Sequence, residues 1–186
     1  SVTNMSEMFR DATSFDQPIG NWDVSSVKSM KNLLRGATLF NQSIGDWNVS
    51  SVNDMSGMFY EAISFNQPIG DWNVSAVSSM YWMFRGAASF NQAIGDWDLS
   101  SVKKINQMFR EAISFNQPIG GWDVSSVPAM LELFMGASSF NQPIGNWDVS
   151  SVMTMAGLLV QKRLRLKVMK MIMKMKILVI VNTERF

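Results

Sequence analysis

The 186-residue sequence contains no cysteine and no histidine. Disulfide frameworks, zinc sites of the Cys/His type, thiol nucleophiles and imidazole acid-base chemistry are thereby excluded together. Most common enzyme mechanisms go with them. The lack of cysteine suits a cytosolic protein and a bridge-free surface protein equally, so it does not fix the compartment. Charge is sparse at 17%, but hydrophobic residues reach 47%, which argues against a disordered chain. A basic N-terminal segment followed by an apolar stretch is also missing, and the chain opens in mid-pattern at Ser1-Val2. It therefore reads as a fragment, with any signal peptide or lipid anchor expected upstream.

The formal net charge of +1 conceals an asymmetry. Residues 1–157 carry 14 acidic and 8 basic side chains, a net of −6, whereas residues 158–186 carry 1 and 8, a net of +7. An acidic main body disfavours nucleic acid as a partner.

What is present is a repeat. Trp22, Trp47, Trp72, Trp97, Trp122 and Trp147 recur every 25 residues without an insertion, and the phenylalanines from Phe15 to Phe140 keep step. The unit reads S-V-x-x-M-x-x-M-F-x-x-A-x-x-F-N-Q-x-I-G-x-W-[DN]-V-S, and such exact self-similarity is the mark of a stacked repeat array. Within it, Val27, Met30, Leu33, Leu34 and Ala37 follow the spacing of one helical face. A helix starting at Ser26 is expected, with Pro128 in the first turn of its fifth copy. Residues 44–49, Ile-Gly-Asp-Trp-Asn-Val, match the L-x-x-L-x-L stretch of leucine-rich repeats and alternate as a half-buried strand does. The expected fold is thus an α/β solenoid, a leucine-rich-repeat-like array of 25-residue strand-turn-helix units with one parallel sheet. Residues 1–157 would form it as six full units plus the start of a seventh. The methionines at 5, 30, 55, 80, 130 and 155 read as core filler. The column Asn41, Asn66, Asn91, Asn116 and Asn141, headed by Asp16, reads as a ladder satisfying backbone groups. Before the alanine, Asp11, Glu61 and Glu111 alternate with Gly36, Gly86 and Gly136, which points to growth by duplication of 50-residue pairs.

The run Phe140-Asn141-Gln142-Pro143-Ile144-Gly145-Asn146-Trp147-Asp148-Val149-Ser150-Ser151-Val152 resembles the BspA-like leucine-rich-repeat surface proteins, in the branch typified by repeats of mycoplasma surface lipoproteins. The resemblance spans residues 1 to about 157. It implies cell-surface or extracellular display and adhesion or protein binding, with no catalytic residues to transfer. Unlike ordinary leucine-rich repeats, the chain has Val27 and its equivalents where the ladder asparagine would stand, so the turn chemistry must differ.

Strand alternation turns two columns outward: Asn21, Asp46, Asp71, Asp96, Gly121 and Asn146, then Asp23, Asn48, Asn73, Asp98, Asp123 and Asp148. Asp46, Asp71, Asp96, Asp98, Asp123 and Asp148 are the candidate partner-binding residues, together with Trp82, the one tryptophan outside the strand column. Like charges about 5 Å apart cost roughly 0.8 kcal/mol per pair in water, so Asp71, Asp96, Asp98 and Asp123 invite a basic partner or calcium. The plainer reading is that these carboxylates are solvated and keep the face soluble. Arg10, Arg35, Arg85 and Arg110 share one register, with Tyr60 and Met135 filling it elsewhere; an anion-binding stripe is one reading, and a solvated face paired with Asp11, Glu61 and Glu111 is the expected one.

The pattern collapses after Gly157. Residues 158–186 are a basic Met/Lys-rich tail, which reads either as a frameshift product or as a makeshift cap over the last apolar columns; its apolar run is too short to span a membrane. The uncapped N-terminal face exposes the array to self-association. The expected function is a non-catalytic repeat module binding a protein or cell-surface ligand through the acidic face. The alternatives are a structural spacer and a calcium-binding surface repeat.

Overall fold

In the computed structural model, which describes residues 1–158, each 25-residue unit is one coil of chain laid on the next. Coil positions are counted below from residues 1, 26, 51, 76, 101 and 126. The tail from residue 159 onward, whether frameshift product or cap, lies outside the described residues.

The coils are not strand-turn-helix units, and the expected leucine-rich-repeat α/β fold is not formed. Among the described residues there is no helix and no sheet. Parallel pairing is confined to isolated bridges, Asn4 to Ser29, Ser29 to Asp54, Asp54 to Ser79, Ser79 to Lys104 and Ala129 to Thr154.

The helix fails because of backbone conformation at positions 7 and 11. Glu7, Asn32, Trp82, Gln107 and Glu132 at position 7, and Asp11, Glu61 and Glu111 at position 11, all have φ between 49° and 63°. A helix needs φ near −60° throughout. Each left-handed residue is instead the third of a four-residue turn, closed by Met58 N–H to the Met55 carbonyl (3.2 Å) and by Ala62 N–H to the Phe59 carbonyl (3.1 Å) in the third coil. The N–H groups between them leave the coil altogether: Met55, Gly57, Phe59 and Glu61 donate to the carbonyls of Ser79, Tyr81, Met83 and Arg85 at 2.7–2.9 Å. Successive turns bring the chain back to the interior about every four residues, close to the helical period. Val27, Met30, Leu33, Leu34 and Ala37 are therefore all fully buried without a helix.

The expected strand is likewise two turns. Trp47 N–H closes on the Ile44 carbonyl and Val52 N–H on the Val49 carbonyl, so Ser26 and its equivalents sit inside a turn rather than capping a helix. The backbone makes no ladder here, and side chains replace it. The Trp47, Trp72, Trp97, Trp122 and Trp147 indole N–H groups each donate to the isoleucine carbonyl of the coil before, at 3.0–3.2 Å. Pro128 is not in a helical first turn either. It falls in the column whose N–H donates to the preceding coil, as Lys103 N–H does to the Ser78 carbonyl. It has no such hydrogen, and the bridge between Lys104 and Ala129 is the one missing from the series.

The asparagine column is the backbone-satisfying ladder expected of it. Asn66, Asn91, Asn116 and Asn141 each donate a backbone N–H to the side-chain oxygen of the asparagine 25 residues earlier, and Asn41 to that of Asp16, at 2.9–3.0 Å. Inside, phenylalanines and tryptophans form stacked columns, with two phenylalanines to a coil except in the second, where Leu34 takes the place of one. Phe84 lies 4.0 Å from Phe90 within its coil and 5.5–5.6 Å from Phe59 and Phe109 in the coils on either side, all nearly parallel. The columns pack the methionines between them, and Met5, Met30, Met55, Met80 and Met130 are buried.

The 50-residue alternation also has a physical cause. An acid at position 11 lies over the glycine of the next coil: a Cβ on Gly86 would meet Glu61 Cγ at 3.0 Å, and one on Gly136 would meet Glu111 Cγ at 3.0 Å. Both glycines also have positive φ, at 69° and 77°. Gly86→Ala is expected to cost about 1–2 kcal/mol in chemical denaturation, whereas Gly121→Ala, with nothing within 4 Å of its Cβ, should change stability by about 0.5 kcal/mol or less. Trp72→Phe removes the indole donor to Ile44 and should cost about 1–3 kcal/mol. Trp22→Phe, at a ring already 39% exposed, should cost far less in the same assay.

Candidate functional site

The six candidate aspartates face outward, as expected, in two adjoining columns flanking the buried tryptophans. Asp46, Asp71 and Asp96 are exposed at position 21. Asp98, Asp123 and Asp148 at position 23 are exposed too, but each is tied into its own turn. The Asp123 carboxylate accepts the Ser125 hydroxyl at 2.6 Å and the Ser125 backbone N–H at 3.0 Å, and Ser100 and Ser150 supply the same backbone N–H bond to Asp98 and Asp148. These serine bonds hold all three carboxyls below the ordinary aspartate range, the hydroxyl contributing first, while the neighbouring Asp123 pushes back on Asp98 and Asp148. Lys103 adds its positive charge to the field at Asp123. Among the described residues, no three acidic side chains converge as a metal-ligating group, whether around Asp71, Asp96, Asp98 and Asp123 or elsewhere.

Trp82 stands apart from these columns, beside an open cleft of about 420 Å³ lined by none of the six aspartates. The cleft crosses four coils. Lys31 and Asn32 come from the second, Asn53, Asp54, Ser56 and Gly57 from the third, Ser78, Ser79, Tyr81 and Trp82 from the fourth, and Lys104 from the fifth. Gly57 interrupts the position-7 column within this lining, and a Cβ there would overlap the Asn32 side-chain oxygen. Tyr81 and Trp82 stack on one another at 4.2 Å, and Tyr60 meets Trp82 edge-on at 5.9 Å. Gln107 Oε1 fixes the indole by accepting its N–H at 2.8 Å, and accepts Arg85 Nη1 at 2.8 Å as well.

The arginine register follows its expected pairing at two positions only. Arg10 bonds Glu7 and Asp11 at 3.3 Å, and Arg110 bonds Glu111 at 3.1 Å and also Glu132. Arg35 and Arg85 are followed by glycines, and neither forms an ion pair among the described residues. Their guanidinium carbons instead lie 4.5 and 5.2 Å from the centroid of the Tyr60 ring. Arg85 keeps a buried Nε without a partner among the described residues. Sequence reasoning singled out Trp82 but missed Lys31, Gly57, Lys104 and Gln107. The available signal was the irregular column Glu7, Asn32, Gly57, Trp82, Gln107 in an otherwise repetitive chain.

The serine bonds give a pH dependence of known sign. A carboxyl whose pKa is lowered by folding contributes stability above its unfolded value, about 3.9 for aspartate, and that contribution is lost as pH falls through the lower folded value. Carboxylate NMR titration of Ser125→Ala should move the Asp123 midpoint upward toward the ordinary value. An unchanged midpoint would remove the assigned role of the hydroxyl.

No curated protein and no solved structure matches the chain. A family model described as Mycoplasma protein of unknown function, DUF285, matches residues 1–93 and again residues 68–168. Twice covered by that model along a continuous stack of 25-residue coils, the chain belongs to the DUF285 family of Mycoplasma repeat proteins.

Proposed function

We propose that this chain is a non-catalytic binding module displayed at a microbial cell surface, offering its aspartate face to a basic segment of a protein partner. The observation that carries the reading is the alignment of Asp46, Asp71 and Asp96 beside Asp98, Asp123 and Asp148. All six are exposed, and none is in an ion pair among the described residues. Turns held in register by the coils beneath present these charges on a rigid support, so little side-chain order has to be created on binding. Complementary charge then governs partner choice and association rate. The resemblance of the repeats to those of mycoplasma surface proteins supports the location. Among the described residues, no helix is long and apolar enough to cross a membrane.

An extended basic peptide fits this face better than a single calcium ion, because no three carboxylates converge. A spacer is the second reading, favoured by the regularity of the coils, and it predicts indifference to the charges. The test is titration of a lysine-rich peptide into the wild-type chain and into the Asp46→Lys, Asp71→Lys, Asp96→Lys triple variant, at low and high salt. The triple variant should lose binding, and added salt should weaken the wild-type complex. No binding by either chain would leave the spacer, and equal binding by both would remove the aspartate face as the site.

A further inference from the structure

We propose that the cleft beside Trp82 binds an acidic oligosaccharide. The site is independent of the aspartate face, since none of those six residues lines it.

The argument begins with the cost of Trp82. Position 7 requires a left-handed backbone, which glycine adopts freely and a bulky residue adopts at a cost of about 1–2 kcal/mol. Gly57 and Gly157 meet that requirement in other coils, whereas Trp82 takes φ 62°. This large ring also adds nothing to the hydrophobic interior: it is only partly buried and lies outside the core columns. Its plane is fixed instead by the bond to Gln107 and by stacking with Tyr81. The Arg85 guanidinium lies over the Trp82 ring, 5.6 Å from its centroid, so the platform for the apolar C–H face of a pyranose ring is the partly exposed Tyr81–Trp82 stack as a whole, next to the cleft.

The remaining lining supplies what such a ring needs at its edges. The Asn53 amide both donates and accepts, as sugar hydroxyls do, and the Ser56 and Ser78 hydroxyls, bonded to Ser79 and to the Asn53 carbonyl, keep oxygen lone pairs that accept. A cleft of about 420 Å³ is within the range of small-ligand sites, and its path across four coils suits a linear chain of sugars.

Charge selects the class of sugar. Lys31 in the second coil and Lys104 in the fifth stand at the two ends of the series, and neither forms an ion pair among the described residues. Two ammonium groups at the ends of a hydroxyl-lined cleft fit a saccharide with carboxylate or sulfate substituents. Asp54 in the same lining repels a uniformly anionic polymer while accepting a sugar hydroxyl.

The test is calorimetry with a hyaluronan tetrasaccharide, uncharged chitotetraose and tetraglutamate. The hyaluronan fragment is expected to bind, with chitotetraose at least about tenfold weaker and tetraglutamate undetectable. Trp82→Gly, a residue that the column already accepts at 57 and 157, should weaken the hyaluronan fragment by about tenfold or more, and so should the Lys31→Ala, Lys104→Ala pair. The triple lysine variant of the aspartate face should bind it as the wild type does, which separates this site from the other. Absence of hyaluronan binding, equal binding of chitotetraose or tetraglutamate, or full binding by Trp82→Gly would each overturn the proposal. If near-ultraviolet circular dichroism shows Trp82→Gly unfolded, the exposed lysine pair decides, and unchanged affinity there overturns the proposal.

Discussion

Every coil divides its backbone donors between itself and its neighbour. Along positions 5 to 12, alternate N–H groups close turns within the coil, and those between them reach the carbonyls of the coil ahead, 24 residues on. Because buried backbone groups must find partners, this division leaves no freedom in repeat length. One inserted residue would exchange the inward and outward donors and leave both sets facing the wrong acceptors. The unbroken 25-residue period is the consequence, and so are the left-handed residues at positions 7 and 11 that keep the turns tight.

Where the backbone has no bond to give between coils, side chains with the right reach take over. The tryptophan indoles span one gap, the asparagine oxygens another, and each works only because its counterpart stands at the same position one coil away. Function then falls to whatever the ladder does not use. The outward aspartates are free to carry charge because their turns are closed by serine and by backbone. The cleft is lined by side chains of four coils and by none of the six aspartates.

Legibility differed by kind of feature. The apolar columns and the asparagine ladder could be read directly, since identity at a fixed spacing is itself evidence of stacking. The outward aspartates could be read from alternation, and Trp82 from being out of pattern. The helix and strand could not, because a chain of four-residue turns buries Val27, Met30, Leu34 and Ala37 at nearly the helical spacing. The left-handed residues at positions 7 and 11 distinguish the two; the glycines at 36, 57, 86 and 136 favour that conformation, but Glu111 or Gln107 in the same columns carry no strong signal for it. The cleft was hidden for another reason: Lys31, Gly57, Trp82 and Lys104 lie in four different coils, and nothing local marks them as neighbours.

The amino-acid sequence by itself determined the period, the membership of the interior and the outward placement of the charges, because each depends on residue type at a repeated position. Only the tertiary structure decided the backbone conformation and the composition of the cleft. In a stacked array, half of the donors at positions 5 to 12 find their acceptors in another coil, and the local preference of the chain is subordinate to that pairing.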